Sequence, residues 1–382
     1  DEEIKSIWED YQDLFTQLLP NLVDSLTNTD YWESSPKYGR GDPQHQYIGD
    51  AHYWGIWHDS EPFENFELKV PRFMSEFGFQ SFLDMNAISK FTINEDLSLD
   101  SEVINSHQKH PRGNKLIKEY MQRHFNDPKD FKGFVYLSQI LQAEGVCIGI
   151  ESHRRAKPYN MGTLYWQFND CWPSISWSSR DYYGNWKALH YSAKSSFEDV
   201  LISTVQSEDS LFVYIVNDSS NGNECNLLFD HIDYYGNHLE NEIFSTKFYA
   251  DSSALLKAFS LNEFLLNDSI ENRSYLDIKM VIGDEVKSRK IHHFVKTKHM
   301  HLSKANITRK IYKDSLGYNL EILSDVFVKD LMIESTYEGR FEFNYFDLPA
   351  YESKRIRFFN ENLINEFDIN SISFYSIIDT YE

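Results

Sequence analysis

The residues whose chemistry is easiest to place lie in the stretch Val70-Pro71-Arg72-Phe73-Met74-Ser75-Glu76-Phe77-Gly78-Phe79-Gln80-Ser81. Phe73, Ser75 and Phe77 alternate with Met74, Glu76 and Gly78, which is the period of a strand, so a single carboxylate stands near the strand's end. In a barrel of parallel strands it would face the C-terminal mouth, where barrel enzymes keep their chemistry. A lone acid at a strand end is also an ordinary surface feature, and the stretch alone favours neither reading. Its neighbours decide. Ser34 and Ser35, then His52, Trp54 and Trp57, then Trp166, Asn169 and Asp170 all fall toward the ends of strand-like segments. Indole faces stack on the C–H faces of a pyranose, while imidazole, amide and carboxylate groups read hydroxyls. Any one Trp could be core, but three at strand mouths around one acid make a sugar site the shared reading.

Other candidates weaken. Glu151 precedes Arg154 and Arg155 and is expected to pair with them. Glu144 falls in a helical pattern, on its outer face. His107 and His110 have a spacing that could seat a metal, but no third ligand and no HExxH accompany them. There is no Gly-rich phosphate loop and no Ser nucleophile elbow. Cys147, Cys171 and Cys225 give neither a disulfide framework nor a zinc spacing. Asn217, Asn267, Asn272 and Asn306 begin Asn-x-Ser/Thr sequences, which matter only in a secreted, glycosylated protein.

The elements that must position these residues follow a change of rhythm. Residues 3–27 read as a helix with apolar positions at three- and four-residue steps, to be kinked by Pro20 and packed on a sheet. Segments 31–36, 47–54, 70–77 and 162–170 read as strands, and 113–125, 131–144 and 186–197 as helices. Strand, loop and helix repeated about four times is the rhythm of parallel βα units and makes half of a (β/α)₈ barrel. Half a barrel leaves unpaired sheet edges. After residue 199 short strands with turn signals take over, among them 211–216, 226–235, 242–249, 275–282 and 287–295, with a hairpin turn at Gly283-Asp284. A second set covers 307–312, 318–324, 327–335, 340–345, 354–359 and 372–379, and together they suggest two β-sandwiches of immunoglobulin type. The predicted fold is α/β plus all-β. Residues 1–198 are expected to form half of a TIM-barrel domain, 199–300 an immunoglobulin-like β-sandwich, and 301–382 a second one.

The 382 residues carry a net charge of −22, which argues against nucleic acid or an anionic membrane as partner. No apolar run approaches the roughly 20 residues of a membrane helix. Aromatic content is 16%, high enough to serve both thick sandwich cores and sugar platforms. The sequence does not fix a compartment.

Pro71–Ser81 resembles the nucleophile strand of the β-mannosidases in glycoside hydrolase family 2. Gly49-Asp50-Ala51-His52-Tyr53-Trp54-Gly55-Ile56-Trp57-His58 is similar to the preceding strand and loop of those enzymes, and Leu164-Tyr165-Trp166-Gln167-Phe168-Asn169-Asp170-Cys171-Trp172-Pro173 to their last barrel strand. Tyr183-Gly184-Asn185-Trp186-Lys187 and Leu189-His190-Tyr191 also fit, and Glu338-Gly339-Arg340-Phe341 is a weaker echo near the C-terminus. The resemblance implies a retaining exo-β-mannosidase that releases terminal β-D-mannose from oligosaccharides or glycoconjugates. In it Glu76 is the nucleophile, Trp166 walls the site, and His52, Trp54, Trp57 and Asn169 touch substrate, with no metal or organic cofactor. The family's acid/base is the Glu of an Asn-Glu pair placed just before a helix like the first one here. Asn94-Glu95, Asn223-Glu224, Asn241-Glu242, Asn262-Glu263 and Asn365-Glu366 all lie elsewhere. The expectation is therefore that the acid/base belongs upstream of this chain, in the remaining N-terminal part of the same enzyme, and that this piece alone is inactive. The rival readings are another family 2 exo-glycosidase, acting on a β-galactoside, β-glucuronide or β-glucosaminide, and a non-catalytic carbohydrate-binding protein.

Overall fold

A computed structural model describes residues 2–261, 270–315, 317–360 and 367–381. The first residues form α1 (Glu2–Gln12), a π-helical turn at Asp13–Leu18, and α2 (Leu19–Leu26). Pro20 sits in the first turn of α2, where its missing N–H costs least, and the wide turn before it absorbs the break. The predicted helix is there, but its predicted packing is not. None of its residues is buried, and Ile4, Ile7, Trp8, Leu18 and Leu26 stand exposed.

Two short parallel strands, β1 (Asp50–His52) and β2 (Phe73–Glu76), lie side by side in register Asp50 to Phe73 and His52 to Glu76. A further parallel bridge joins Met74 to Thr163. Segments 31–36 and 162–170, read as strands, carry no ladder; the first is irregular and the second holds only that bridge and one at Asn169. Parallel strands depend on distant partners for every hydrogen bond, so local patterning overstated them. Around the pair come α3 (Gly55–His58), α4 (Met85–Ile88), α5 (Glu102–Ser106), α6 (Gly113–His124), α7 (Phe131–Arg155) and α8 (Ala188–Ser196). Trp57, Phe63, Phe66, Phe77, Phe79, Phe82 and Tyr120 fill the core between them.

α7 is the spine. It runs eleven residues beyond the predicted helix end at 144, and it is buried on nearly every side. By length and composition it could cross a membrane, but 83% of its most apolar window is enclosed by the protein, as for a core helix.

The rest of the chain is antiparallel. In the first sandwich β3 (Val200–Ser207), β4 (Ser210–Asn217) and β7 (Ser252–Ser260) form one sheet in the order β3-β4-β7. It faces a sheet β6-β5-β8-β9 made by β5 (Asn223–Asp233), β6 (His238–Phe248), β8 (Ser274–Ile282) and β9 (Glu285–His293). Ile202, Leu211, Val213 and Ile215 from one face meet Leu227, Phe229, Leu276 and Ile278 from the other. Gly283 takes φ +60° in the β8–β9 turn, a conformation glycine adopts without a Cβ penalty. The second sandwich pairs β10-β11-β15-β13 with β14-β12-β16, where β10 is Ile307–Asp314, β11 Gly317–Ser324, β12 Val328–Ser335, β13 Arg340–Phe341, β14 Phe346–Leu348, β15 Lys354–Phe359 and β16 Ile372–Tyr375. Asn217 is buried, its amide donating to the carbonyls of Asn221 and Tyr249, so it is closed to glycosylation; Asn267 lies outside the described residues.

Both sandwiches are pinned to α7. Glu151 does not pair with Arg154 or Arg155: it accepts from Lys290 Nζ at 2.8 Å and Ser203 Oγ at 2.7 Å, both in the first sandwich. Arg154 and Arg155 turn instead to Asp218 and Glu67. Glu144 is not on an outer face. With Cys147, Tyr191, Lys290, Asp330 and Tyr345 it lines a cavity of about 270 Å³ between α7, α8 and the sandwiches. Beside it, Lys329 Nζ stands 2.7 Å from Asp330 and 3.2 Å from Asp347, His293 Nε2 stands 2.7 Å from Asp347, and Tyr136 donates to the Asp330 carbonyl at 2.6 Å.

Candidate active site

The β1–β2 register brings His52 and Glu76 together. His52 Nδ1 lies 3.3 Å from Glu76 Oε2, and Trp54 Nε1 donates to the same oxygen at 3.3 Å. The strand pair continues one residue further, with the Tyr53 amide donating to the Glu76 carbonyl at 2.9 Å. Both side chains remain partly open, 20% for His52 and 27% for Glu76, so a ligand can reach them. Glu76 is thus a reachable carboxylate fixed by two ring nitrogens, the setting a nucleophile needs.

Trp166 reaches the same end of the sheet through its backbone. Its amide donates to the Phe77 carbonyl at 2.8 Å, and its ring is 42% exposed. The approach is so close that a Cβ on Gly78 would stand 2.2 Å from the Trp166 carbonyl oxygen; only glycine fits there.

The other predicted contacts separate. Trp57 is fully buried beneath the site, edge-on to Phe79 at 5.0 Å, His110 at 5.4 Å and Trp177 at 5.7 Å. The structure makes it support rather than lining, because α3 turns its ring into the core. Asn169 is exposed, and no hydrogen bond links it to Glu76; Gln167 donates to its carbonyl. Asp170 is buried and accepts from Ser176 and Gln167, with Lys109 at 3.6 Å, so it braces a loop. His107 stacks on Phe91 and His110 sits beside His58 and Trp57, so they serve different neighbours. Among the described residues no group of three His, Cys, Asp or Glu could hold a metal ion.

Two residues at the site were not singled out in sequence. Trp177 packs edge-on against both Trp54 and Trp57, linking site to core. Asp50, two residues before His52, accepts from Ser35 Oγ at 2.6 Å, Ser75 Oγ at 2.5 Å and Trp32 Nε1 at 3.1 Å. Burial alone would push its carboxyl up, but those three donors outweigh it and hold it below the usual carboxylate range. Ser35 in turn lies 3.5 Å from His52 Nε2. An acid at the start of a strand beside a hydroxyl-rich loop was the available signal.

Residues 209–299 match the Mannosidase Ig/CBM-like domain, and residues 302–380 match the Ig-fold domain Ig_mannosidase. By sequence and fold the chain is similar to β-mannosidases. Among its relatives, β-mannosidase B of Emericella nidulans is 32% identical over 198 residues, covering 50% of this chain and 23% of that protein. The β-mannosidase of Capra hircus is 33% identical over 220 residues, 53% of this chain and 24% of that one. The crystal structure of a β-D-mannosidase from Dictyoglomus thermophilum superposes with a TM-score of 0.85 and 27% identity, over 96% of this chain and 44% of that chain. An Amycolatopsis orientalis exo-chitosanase gives 0.60 at 14% identity over 88% of this chain and 43% of that one, a likeness of fold alone. The matched region spans about a quarter of the curated relatives and under half of the solved enzyme.

Proposed function

We propose that this chain carries the nucleophile side of a retaining exo-β-mannosidase. Residues 1–198 would be the second half of a (β/α)₈ catalytic barrel, with sandwiches at 199–300 and 301–382 holding it through α7. The observation that carries the reading is Glu76 at the end of β2, open to ligand and flanked by His52 and Trp54, in a chain whose named relatives are β-mannosidases.

In the mechanism, Glu76 attacks the anomeric carbon of a terminal β-mannoside. The aglycone oxygen leaves with a proton from a second carboxyl about 5–5.5 Å away, and water then hydrolyses the glycosyl ester. Trp166 supplies an apolar wall for the sugar ring, and His52 and Trp54 hold Glu76 aimed. Asp50 is a poor proton donor, since three donors keep its carboxyl ionised. The acid/base would come from residues outside these 382, consistent with the share of the relatives that the chain spans.

A panel of 4-nitrophenyl β-glycosides on the full-length protein tests the reading. The mannoside should turn over at least tenfold faster in kcat/KM than the galactoside, glucuronide and glucosaminide. Preference for another epimer would move the protein to a sister activity; binding of mannose with no turnover of any substrate would make it a lectin-like protein.

A further inference from the structure

We infer that Asp50 is a positioning residue for Glu76, acting through Ser35 to fix the proton arrangement and orientation of the His52 imidazole. The inference rests on the reading of Glu76 as nucleophile and extends it to a residue that does not touch the sugar.

The argument is a count of donors and acceptors. The Asp50 carboxylate can only accept, and it takes the hydroxyl protons of Ser35 at 2.6 Å and Ser75 at 2.5 Å together with the indole N–H of Trp32 at 3.1 Å. With its proton directed to Asp50, Ser35 Oγ faces His52 Nε2 at 3.5 Å as an acceptor. On the other side of the ring, Nδ1 faces Glu76 Oε2 at 3.3 Å, and a carboxylate there also accepts. Each ring nitrogen therefore meets an acceptor. The donor and acceptor count is met at both contacts when each nitrogen carries hydrogen. Charge on Asp50 supports that state, because removing it frees the Ser35 proton to turn toward Nε2. Ser75 adds a second link: it is the residue before Glu76, and its hydroxyl donates to Asp50 while lying 3.2 Å from the Ala51 carbonyl, tying β2 to β1 at the reacting end.

Asp50→Asn keeps the size of the side chain but presents an amide N–H to the two hydroxyls. The Ser35 proton then points at Nε2 and the imidazole keeps a single N–H, toward Glu76. In the full-length protein, hydrolysis of 4-nitrophenyl β-D-mannoside by D50N should fall about tenfold or more in kcat with KM changed less than about threefold, since the sugar contacts stay in place. Ser35→Ala should lose a similar factor, Ser35→Thr should restore most of it, and the D50N/S35A double variant should be little worse than either single one. The imidazole ¹⁵N resonances of His52, assigned with a His52→Asn control, should show two N–H nitrogens in the wild type and one in D50N. If kcat in D50N and S35A stays within twofold of wild type and the ¹⁵N pattern is unchanged, the inference is wrong. If D50N does not fold, S35A and S35T decide alone. If Glu76→Ala retains full activity, the nucleophile reading fails, an outcome distinct from an unchanged His52 spectrum.

Discussion

Asp50 and Glu144 are both carboxyl groups set among aromatic and polar neighbours, yet the protein drives them in opposite directions. At the β1–β2 mouth, burial works against the charge of Asp50, and Ser35, Ser75 and Trp32 more than offset it, so the carboxyl stays ionised. At the α7 junction, burial pushes Glu144 up to about 8, with Lys329 pulling the other way and Asp330 and Asp347 adding to the rise. Around it, burial lifts Asp330, while Lys329 and His293 overcome burial and hold Asp347 low. The difference is one of supply. The mouth surrounds Asp50 with three donors; at the junction Glu144, Asp330 and Asp347 crowd together, and the close ion pairs of Lys329 and His293 go to Asp330 and Asp347. The first plan suits chemistry on a reachable carboxylate. The second fastens two sandwiches to a helix and depends on how many protons it holds.

Substitutions at the two places should therefore separate activity from stability. The largest expected effect is at the mouth: Glu76→Ala in the full-length protein should cut kcat on an aryl β-mannoside by at least about 10⁴-fold, with an unchanged urea midpoint. Lys329→Met should do the reverse. It leaves Asp347 and Asp330 without their cation and should cost about 3–5 kcal/mol in urea unfolding followed by tryptophan fluorescence, with kcat per folded molecule unchanged. A changed kcat there would break the division between the two regions.

Glu144→Gln should show the pH-dependent face of the junction. From about pH 5 to pH 8 the folded protein keeps a proton on Glu144 that the unfolded chain has released, so wild-type stability falls as pH rises through that window. The glutamine variant should lack that fall and be more stable than wild type at pH 9 by on the order of 5 kcal/mol; parallel stability curves from pH 5 to 9 would contradict the account. Smallest of all, Trp166→Ala should raise KM by roughly fivefold, about 1 kcal/mol of lost stacking, with melting temperature unaffected.

How much of this was legible in the sequence follows the range of the interactions. The sandwich strands could be read because each alternates against a neighbour reached through a short turn, as at Gly283 between β8 and β9. β3 and β7 were missed: Leu201, Ile202 and Ser203 are buried in succession, and β7 is mostly half-exposed, so neither shows a clean period of two. Glu76, His52 and Trp54 were found from residue type and spacing, whereas the placement of Trp57 depends on how a four-residue helix turns. The ion pair of Glu151 could not be read at all, because Lys290 is 139 residues away. Glu144 looked like a surface acid because a helix carries acids on its outer face by default, and only the arrival of β12 and β14 encloses it.

The central claim is that Glu76 becomes covalently attached to the sugar. Treating the full-length protein with 2-deoxy-2-fluoro-β-D-mannosyl fluoride, whose leaving group needs little acid assistance, should trap one sugar per molecule, and peptide mass spectrometry should locate it on Glu76. An adduct on a different carboxylate, or none on a protein that hydrolyses β-mannosides, would contradict the account.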